Sequence, residues 1–255
     1  MIALIGNLSR DHLPGRPPRA GGGPYHGARA LQRLRVPARV VVRCAQADKA
    51  ELVTPVVRLG STVRYVPGES TATFSIEYDG DHRTMIVEQL GDVWHTADLP
   101  QLPSSVRWIH IAPLARSDFP AGTLAALARR HRISFDGQGL VRVSKTGPLS
   151  LDADFDPDVL KHVWALKLAD EEATVIGDVT RLPVRELLVT HGSQGATLYL
   201  GGQVAQEVPA HAIEGDPTGA GDAFMTAYLV ARSTGFAPSS AARRATAVVA
   251  SLLRA

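Results

Sequence analysis

Short apolar runs alternate with helical patterns along most of this chain, and that alternation restricts the available folds more than any other feature. Met1 to Gly6 reads as a short buried strand, HGARALQRLR from His26 to Arg35 as a helix, and ARVVVRC from Ala38 as a second buried strand. Strand, helix and strand in that order begin a βαβ unit. Further on come strand WIHIAPL (108–114), helix TLAALARRH (123–131), strands RISFD (132–136) and VWALKL (163–168), and a short helix from Asp170. LPVRELLVTHG then leads through a glycine turn into ATLYL and QVAQEV, and two helices close the chain, from Gly219 and from Ser239. A mostly parallel sheet covered on both faces accounts for this order.

Two stretches break the pattern. Asp11 to Gly23 is rich in Pro, Gly and Arg and reads as a loop or irregular excursion. Ser61 to Glu88 alternates, is rich in Thr, Val, Ile and Tyr, and carries a turn signal at Asp79-Gly80-Asp81, so it reads as mostly antiparallel ribbon.

Composition narrows the function classes. With 27 basic against 25 acidic side chains in 255 residues, and no long basic run, nucleic acid is not an expected partner. The single cysteine, Cys44, rules out an internal disulfide framework or a multi-cysteine zinc site, and reads as a small packed residue. No apolar stretch approaches the roughly 18 to 20 residues of a membrane span, and MIALIG lacks the basic flank of a signal peptide. A membrane partner is not expected, and a reducing cytoplasm is the expected compartment.

The stretch GDPTGAGDAF (215–224) gathers three glycines about two aspartates just where a helix begins, with Gly219 and Gly221 between Asp216 and Asp222. Glycines gathered there serve positive φ or close backbone approach. The exposed N–H groups of the first turn, with the helix dipole, form an anion site suited to phosphate. Asp222, in that turn, lies where a carboxylate is favoured and is expected to stay ionised. A base for a hydroxyl proton beside donors for a moving phosphoryl group is what phosphoryl transfer to an alcohol needs. A helix-start acid beside a tight turn explains the same spacing without chemistry. The Lys-Ser/Thr phosphate loop, a dinucleotide fingerprint, a serine-hydrolase elbow and an HExxH helix are all missing from the sequence.

Parallel sheets place ligands at the carboxyl ends of their strands. Gly6 to Asp11, Asp136 to Gly139 and Asp170 to Glu172 fall at such ends. Each has a plainer reading: Asp11 as a solvated turn acid, Asp136 in FDGQG as a turn residue, Arg142 as a surface cation, Glu172 in the run DEE as a solvated helix start. His26 can cap its helix or bind a hydroxyl. Trp94, Trp108 and Trp164 read as core or lid packing.

DPTGAGDAF resembles the C-terminal signature of the PfkB carbohydrate kinases, the ribokinase family, whose pattern is Asp, two variable residues, Gly-Ala-Gly-Asp. GNLSRD is similar to that family's first-strand exit, GGGPYHGARALQRLR to its glycine pair and following helix, and LLVTHGSQGATLYL to its nucleotide-side strands. GGGPYHGA, FSIEYDGDHR and FDGQGLVR look closest to the branch that includes inositol kinase. The resemblance implies one ribokinase-like three-layer α/β/α domain over 1–255, with a mostly parallel central sheet. A small β lid would come mainly from about 61–88, with a contribution from about 11–21. It implies ATP-dependent phosphorylation of a sugar or inositol-like polyol, with Mg2+. Asp222 would be the base, with Gly219, Ala220 and Gly221 as the anion hole. Asp11, Gly22, Gly23, His26, Asp136 and Arg142 would face the substrate, and Thr190, Gly192, Gly195 and Thr218 the nucleotide. Glu172 would act near magnesium, through water.

Three departures bear on this. Ala169 stands where the family motif has Asn, which touches phosphate and magnesium handling. His26 stands where many members have a substrate-facing Asn. The chain closes at Ala255, earlier than typical members, and the resemblance reads this as one wall of the adenine pocket abbreviated or supplied otherwise. A nucleoside kinase and a catalytically weak, ligand-binding regulator are the alternatives. An exposed lid sheet offers a route to a homodimer.

Overall fold

Ile2 and Leu4 bury against one set of helices and Ala3 and Ile5 against another, so the first strand is covered on both faces. Val40 and Val42 against Val41 repeat the division one strand over. The period of two along a strand makes this inevitable once a run is apolar throughout. Each of these Ile, Leu and Val side chains contributes about 1.5–3 kcal/mol by leaving water.

A computed structural model describes residues 1–79, 82–210 and 218–253. The first half of the described chain forms β1 (Ile2–Asn7), β2 (Ser9–His12), β3 (Arg19–Gly21), α1 (Gly23–Leu34), β4 (Arg39–Ala45), α2 (Lys49–Arg58), β5 (Thr62–Gly68), β6 (Ala72–Asp79), β7 (His82–Gln89), β8 (Trp108–Ile111) and α3 (Ala121–Ala128). The rest forms β9 (Arg132–Asp136), α4 (Gln138–Val141), β10 (Gly147–Pro148), β11 (Val163–Ala169), α5 (Asp170–Ile176), β12 (Glu186–Thr190), β13 (Ala196–Leu200), β14 (Gln203–Val208), α6 (Ala220–Ser233) and α7 (Pro238–Leu253).

The large sheet runs β14-β13-β12-β11-β9-β8-β1-β4-β5. It is parallel from β12 to β5, with β13 and β14 added antiparallel. Helices α1, α2, α6 and α7 cover one face, and α3 and α5 the other. From β1 the chain proceeds to β4 on one side and later to β8 on the other, so the strand order reverses at β1. A crevice opens at such a point beyond the carboxyl ends of the strands.

Out of that carboxyl edge grows a second sheet, β10-β7-β6-β2-β3, with its own core of Ala72, Phe74, Ile76, Met85, Val87 and Leu114. The structure departs from two of the sequence expectations. The stretch from Asp11 to Gly23 is not irregular throughout, because β2 and β3 pair antiparallel between Ser9↔Gly21 and Asp11↔Arg19. The stretch from Ser61 to Glu88 is not one ribbon: β5 pairs in parallel with β4, from Arg39↔Thr62 to Ala45↔Gly68, and only β6 and β7 form the antiparallel ribbon. An edge strand wetted on one side alternates just as a ribbon does, so the pattern does not separate them. Of the expected turn, Gly80 and Asp81 lie outside the described residues. Helix α2 is not anticipated because Pro55 interrupts its pattern. Among the described residues no helix is long and apolar enough to cross a membrane.

Candidate active site

Helix α6 begins at Gly219, which caps it in the left-handed conformation at φ 79°. Only glycine takes that conformation without strain, and here a side chain is also excluded, since a Cβ would stand 2.2 Å from His26 Nδ1. The N–H groups of the first turn of α6 have no partner one turn back and point along the axis. Gly215, Asp216 and Pro217 of the glycine-rich stretch lie outside the described residues.

Asp222 sits in that first turn against the start of α1. A Cβ on Gly23 would lie 2.7 Å from Asp222 Oδ1 and 2.3 Å from Ala112 Cβ, so the glycine lets α1 close onto the carboxyl. Gly22 takes φ 91°, and a Cβ there would strike Asn7 O at 2.6 Å. The glycine pair is thus explained by close approach between the exit of β1, α1 and α6.

Asp222 does not have the simple ionised character expected of a helix-start acid. Although partly exposed, its carboxyl is densely enclosed, and burial and then Asp136 push its pKa up to about 7, against the pull of Lys167 and Arg142. Desolvation outweighs the helix dipole, whose contribution at a helix end is only about 0.3–1 kcal/mol.

Asp136 ends β9 and is fully buried. Its carboxylate accepts from Lys167 Nζ at 3.1 and 3.4 Å and from the Gln138 N–H at 3.2 Å. Burial works against its charge, but Lys167 and then His110 outweigh that and hold its pKa below the ordinary range. Lys167, on β11, is itself buried and lies 3.9 Å from Glu172 Oε2. A Cβ on Gly221 would come 3.2 Å from its ammonium, which therefore underlies the glycine turn. Burial opposes that charge too, yet Asp136, Glu172 and Asp222 together hold the ammonium firmly protonated.

Lys167 is the residue that sequence reasoning missed. VWALKL reads as a buried strand, and a lysine at its fifth place has no visible reason. The available signal is that a fully buried lysine requires a carboxylate partner, and strand ends nearby carry acids. His110 was missed likewise. It is fully buried, its Nδ1 pairs with Ser134 Oγ at 3.1 Å, and burial lowers its pKa to about 4.

Asp11 is buried on β2 and accepts from Ser9 Oγ at 2.7 Å, so it is not a solvated turn acid. Arg142 is buried too, rather than a surface cation, and its charge favours ionisation of both Asp222 and Glu172. His26 is buried under Gly219 and, with Arg29, Thr218 and Leu252, lines a cavity of about 170 Å3 between α1, α6 and α7. Thr190 stands beside Ala169 at the carboxyl end of β12, with its hydroxyl donating to Leu168 O at 3.2 Å. Gly192 and Gly195 take positive φ in the following turn, and a Cβ on Gly195 would strike Val208 O at 2.1 Å, so its absence lets β14 pack close.

Glu172 is buried rather than solvated, and its Oε2 accepts the Ala169 N–H at 2.8 Å. With Ala169 at the cap of α5, the glutamate caps its own helix. His110, Asp136 and Asp222 offer ligand atoms within 4.8 Å of one another, the one potential metal trio among the described residues. These residues fit a protein-held magnesium poorly. That ion takes oxygen ligands in near-octahedral order, whereas one member is an imidazole and another is already neutralised by Lys167.

A large parallel sheet, a small sheet at its carboxyl edge and a glycine-started helix presenting an acid there define the ribokinase-like class of α/β proteins. The chain belongs to the pfkB family of carbohydrate kinases, whose family pattern matches residues 19–254. Inositol 3-kinase of Zea mays is 33% identical over 109 residues, which is 43% of this chain and 27% of that relative. Among solved structures, a pyrophosphate-dependent kinase in the ribokinase family, in complex with sulfate, superposes with a TM-score of 0.87 at 26% identity, covering 100% of this chain and 95% of that one. A pyrophosphate-dependent kinase in the same family, complexed with a pyrophosphate analog and myo-inositol, superposes with a TM-score of 0.84 at 25% identity, over 100% and 95% of the two chains.

Proposed function

We propose that this protein transfers the terminal phosphoryl group of a phosphoanhydride donor to a hydroxyl of an inositol-like polyol. One observation carries the reading: the carboxyl of Asp222 lies between the glycine pair that opens α1 and the N–H groups that open α6. In its ionised form Asp222 accepts the hydroxyl proton. The acceptor oxygen bonds to phosphorus while the bridging P–O bond breaks, and its electron pair leaves on the departing phosphate. The N–H groups of Gly219, Ala220 and Gly221 bond the oxygens of the moving group, with Lys167 adding positive potential from beneath. Asp11, Gly22, Gly23, His26, Asp136 and Arg142 form the acceptor side in this reading. Thr190, Gly192, Gly195 and Thr218 form the donor side, and the small sheet acts as a lid that keeps water from competing.

ATP is the donor the family suggests. Pyrophosphate is a second reading, favoured by full-length similarity to pyrophosphate-dependent kinases. A panel assay tests both: inositols, ribose, fructose and nucleosides, each with ATP or pyrophosphate, with and without magnesium. Turnover of an inositol with either donor is the expected result. Turnover of nucleosides alone would make this a nucleoside kinase. No turnover with any pair, alongside ligand-raised unfolding temperatures, would replace catalysis by binding.

A further inference from the structure

Arginines mark the edge of the large sheet opposite the candidate active site. Arg39 opens β4 and Arg132 opens β9, while Arg107 and Arg185 immediately precede β8 and β12. The β9 strand carries Arg132 at one end and Asp136 at the other, so the two edges stand about 13 Å apart along it. The segments that form this end, 99–117 and 119–135, contain no acidic residue.

At this edge lies a hollow of about 430 Å3, lined by Ser104, Arg107, Arg129, Arg130, His131 and Arg132 among others. All four arginines are exposed, and none forms an ion pair among the described residues. The guanidinium of Arg132 stacks on Trp164 at 4.3 Å and on Trp108 at 5.6 Å, and Arg185 stacks on Trp164 at 4.4 Å. Stacking fixes the plane of a guanidinium and leaves its N–H fork for an anion. Glu186, at the same edge, is buried and engaged by Trp164, Tyr228 and Arg232.

Complementing a helix end is the plainer role for arginines after α3. The carboxyl end of a helix presents about half a negative charge, which a single cation balances. Four guanidiniums in one hollow exceed that requirement severalfold. Paired arginines that crowd without counter-charge repel one another, and a multivalent anion relieves the repulsion while using their forks.

We propose that this hollow is an anion site that takes a compact oligophosphate, apart from the candidate active site and at the other end of the sheet. Trp164, read from sequence as packing, orients Arg132 within the hollow and Arg185 beside it on the same edge. Free inorganic chains and nucleoside triphosphates share the recognised chemistry, and the experiment separates them.

The test is hydrogen exchange of the whole chain with inorganic tripolyphosphate, and in a second arm with ATP. The readout needs no turnover, so it stands or falls separately from the kinase reading. Tripolyphosphate should slow exchange in 104–107 and 128–132, and the effect should fade with added salt. Slowing with both probes supports the site and extends it to nucleoside-borne chains; slowing with tripolyphosphate alone supports it for inorganic ones. In the triple variant Arg107→Gln, Arg129→Gln, Arg130→Gln the affinity should fall about tenfold or more, with an unchanged unfolding temperature. Slowing confined to 218–223, no slowing anywhere, or undiminished affinity in the folded variant would overturn the proposal.

Discussion

Replacing Lys167 by methionine removes one positive charge from among three carboxyls and keeps the side chain's length. In the parent, the ammonium lies 3.1 Å from Asp136 and 3.9 Å from Glu172, all three side chains being nearly inaccessible to water. Removing one partner of a buried pair costs about 3–5 kcal/mol, because the other charge is left without solvent or counter-ion. For a chain of this size each kcal/mol lowers the unfolding midpoint by about 2–4 °C, so Lys167→Met should melt about 6–20 °C lower near neutral pH. The sign of the pH dependence follows. Without the ammonium the native carboxyls hold protons more tightly than in the unfolded chain, so the native state binds more protons and gains stability as pH falls. Burial already pushes up Asp222, to about 7, and Glu172 in the parent, so these two carboxyls should take protons ahead of Asp136. The deficit should therefore shrink between about pH 8 and pH 6. Adding Asp136→Asn should restore much of the loss, since both members of the pair are then gone. Thermal unfolding of both variants at several pH values is the assay. A single variant melting within about 2 °C of the parent at pH 8 would refute the claim that Lys167 neutralises this cluster.

Two further predictions concern the site itself. With Asp222 as base at a pKa of about 7, the rate should rise with pH through that value and level off above it, and a flat profile between about pH 5 and 8 would exclude this titration. Gly219→Ala should cost about 1–2 kcal/mol from the left-handed φ of 79° alone, with a further loss from the collision with His26. Both the unfolding midpoint and the affinity for the phosphoryl donor should drop, and an unaltered pair of values would show that the turn is not built as described.

Much of the fold is legible in the chain because buried parallel strands and amphipathic helices leave distinct periods. MIALIG, ARVVVRC and RISFD sit within a residue of their observed strands. The start of α6 was legible for another reason: closely spaced glycines before a helix have few other uses. What failed shares one cause, the dependence of a residue's state on neighbours distant in sequence. STVRYV alternates whether it lies at a sheet edge or in a ribbon, and only its pairing with β4 decides. Asp222 reads as an ionised acid until the fold encloses its carboxyl and brings Asp136, 86 positions earlier in the sequence, beside it. Lys167 is marked only as a charge inside an apolar strand, and the three acids that account for its burial stand on other elements. Arg132 and Arg185 likewise come together only through Trp164.

The role of Asp222 is tested most directly by single-turnover phosphoryl transfer in Asp222→Asn, using the donor and polyol found active in the panel, with donor affinity and unfolding midpoint measured on the same sample. Transfer should fall by about 10²–10⁴, while donor affinity stays within about threefold of the parent and the midpoint is not lowered. Transfer within about tenfold of the parent in that folded, donor-competent variant would contradict the assignment of Asp222 as the base.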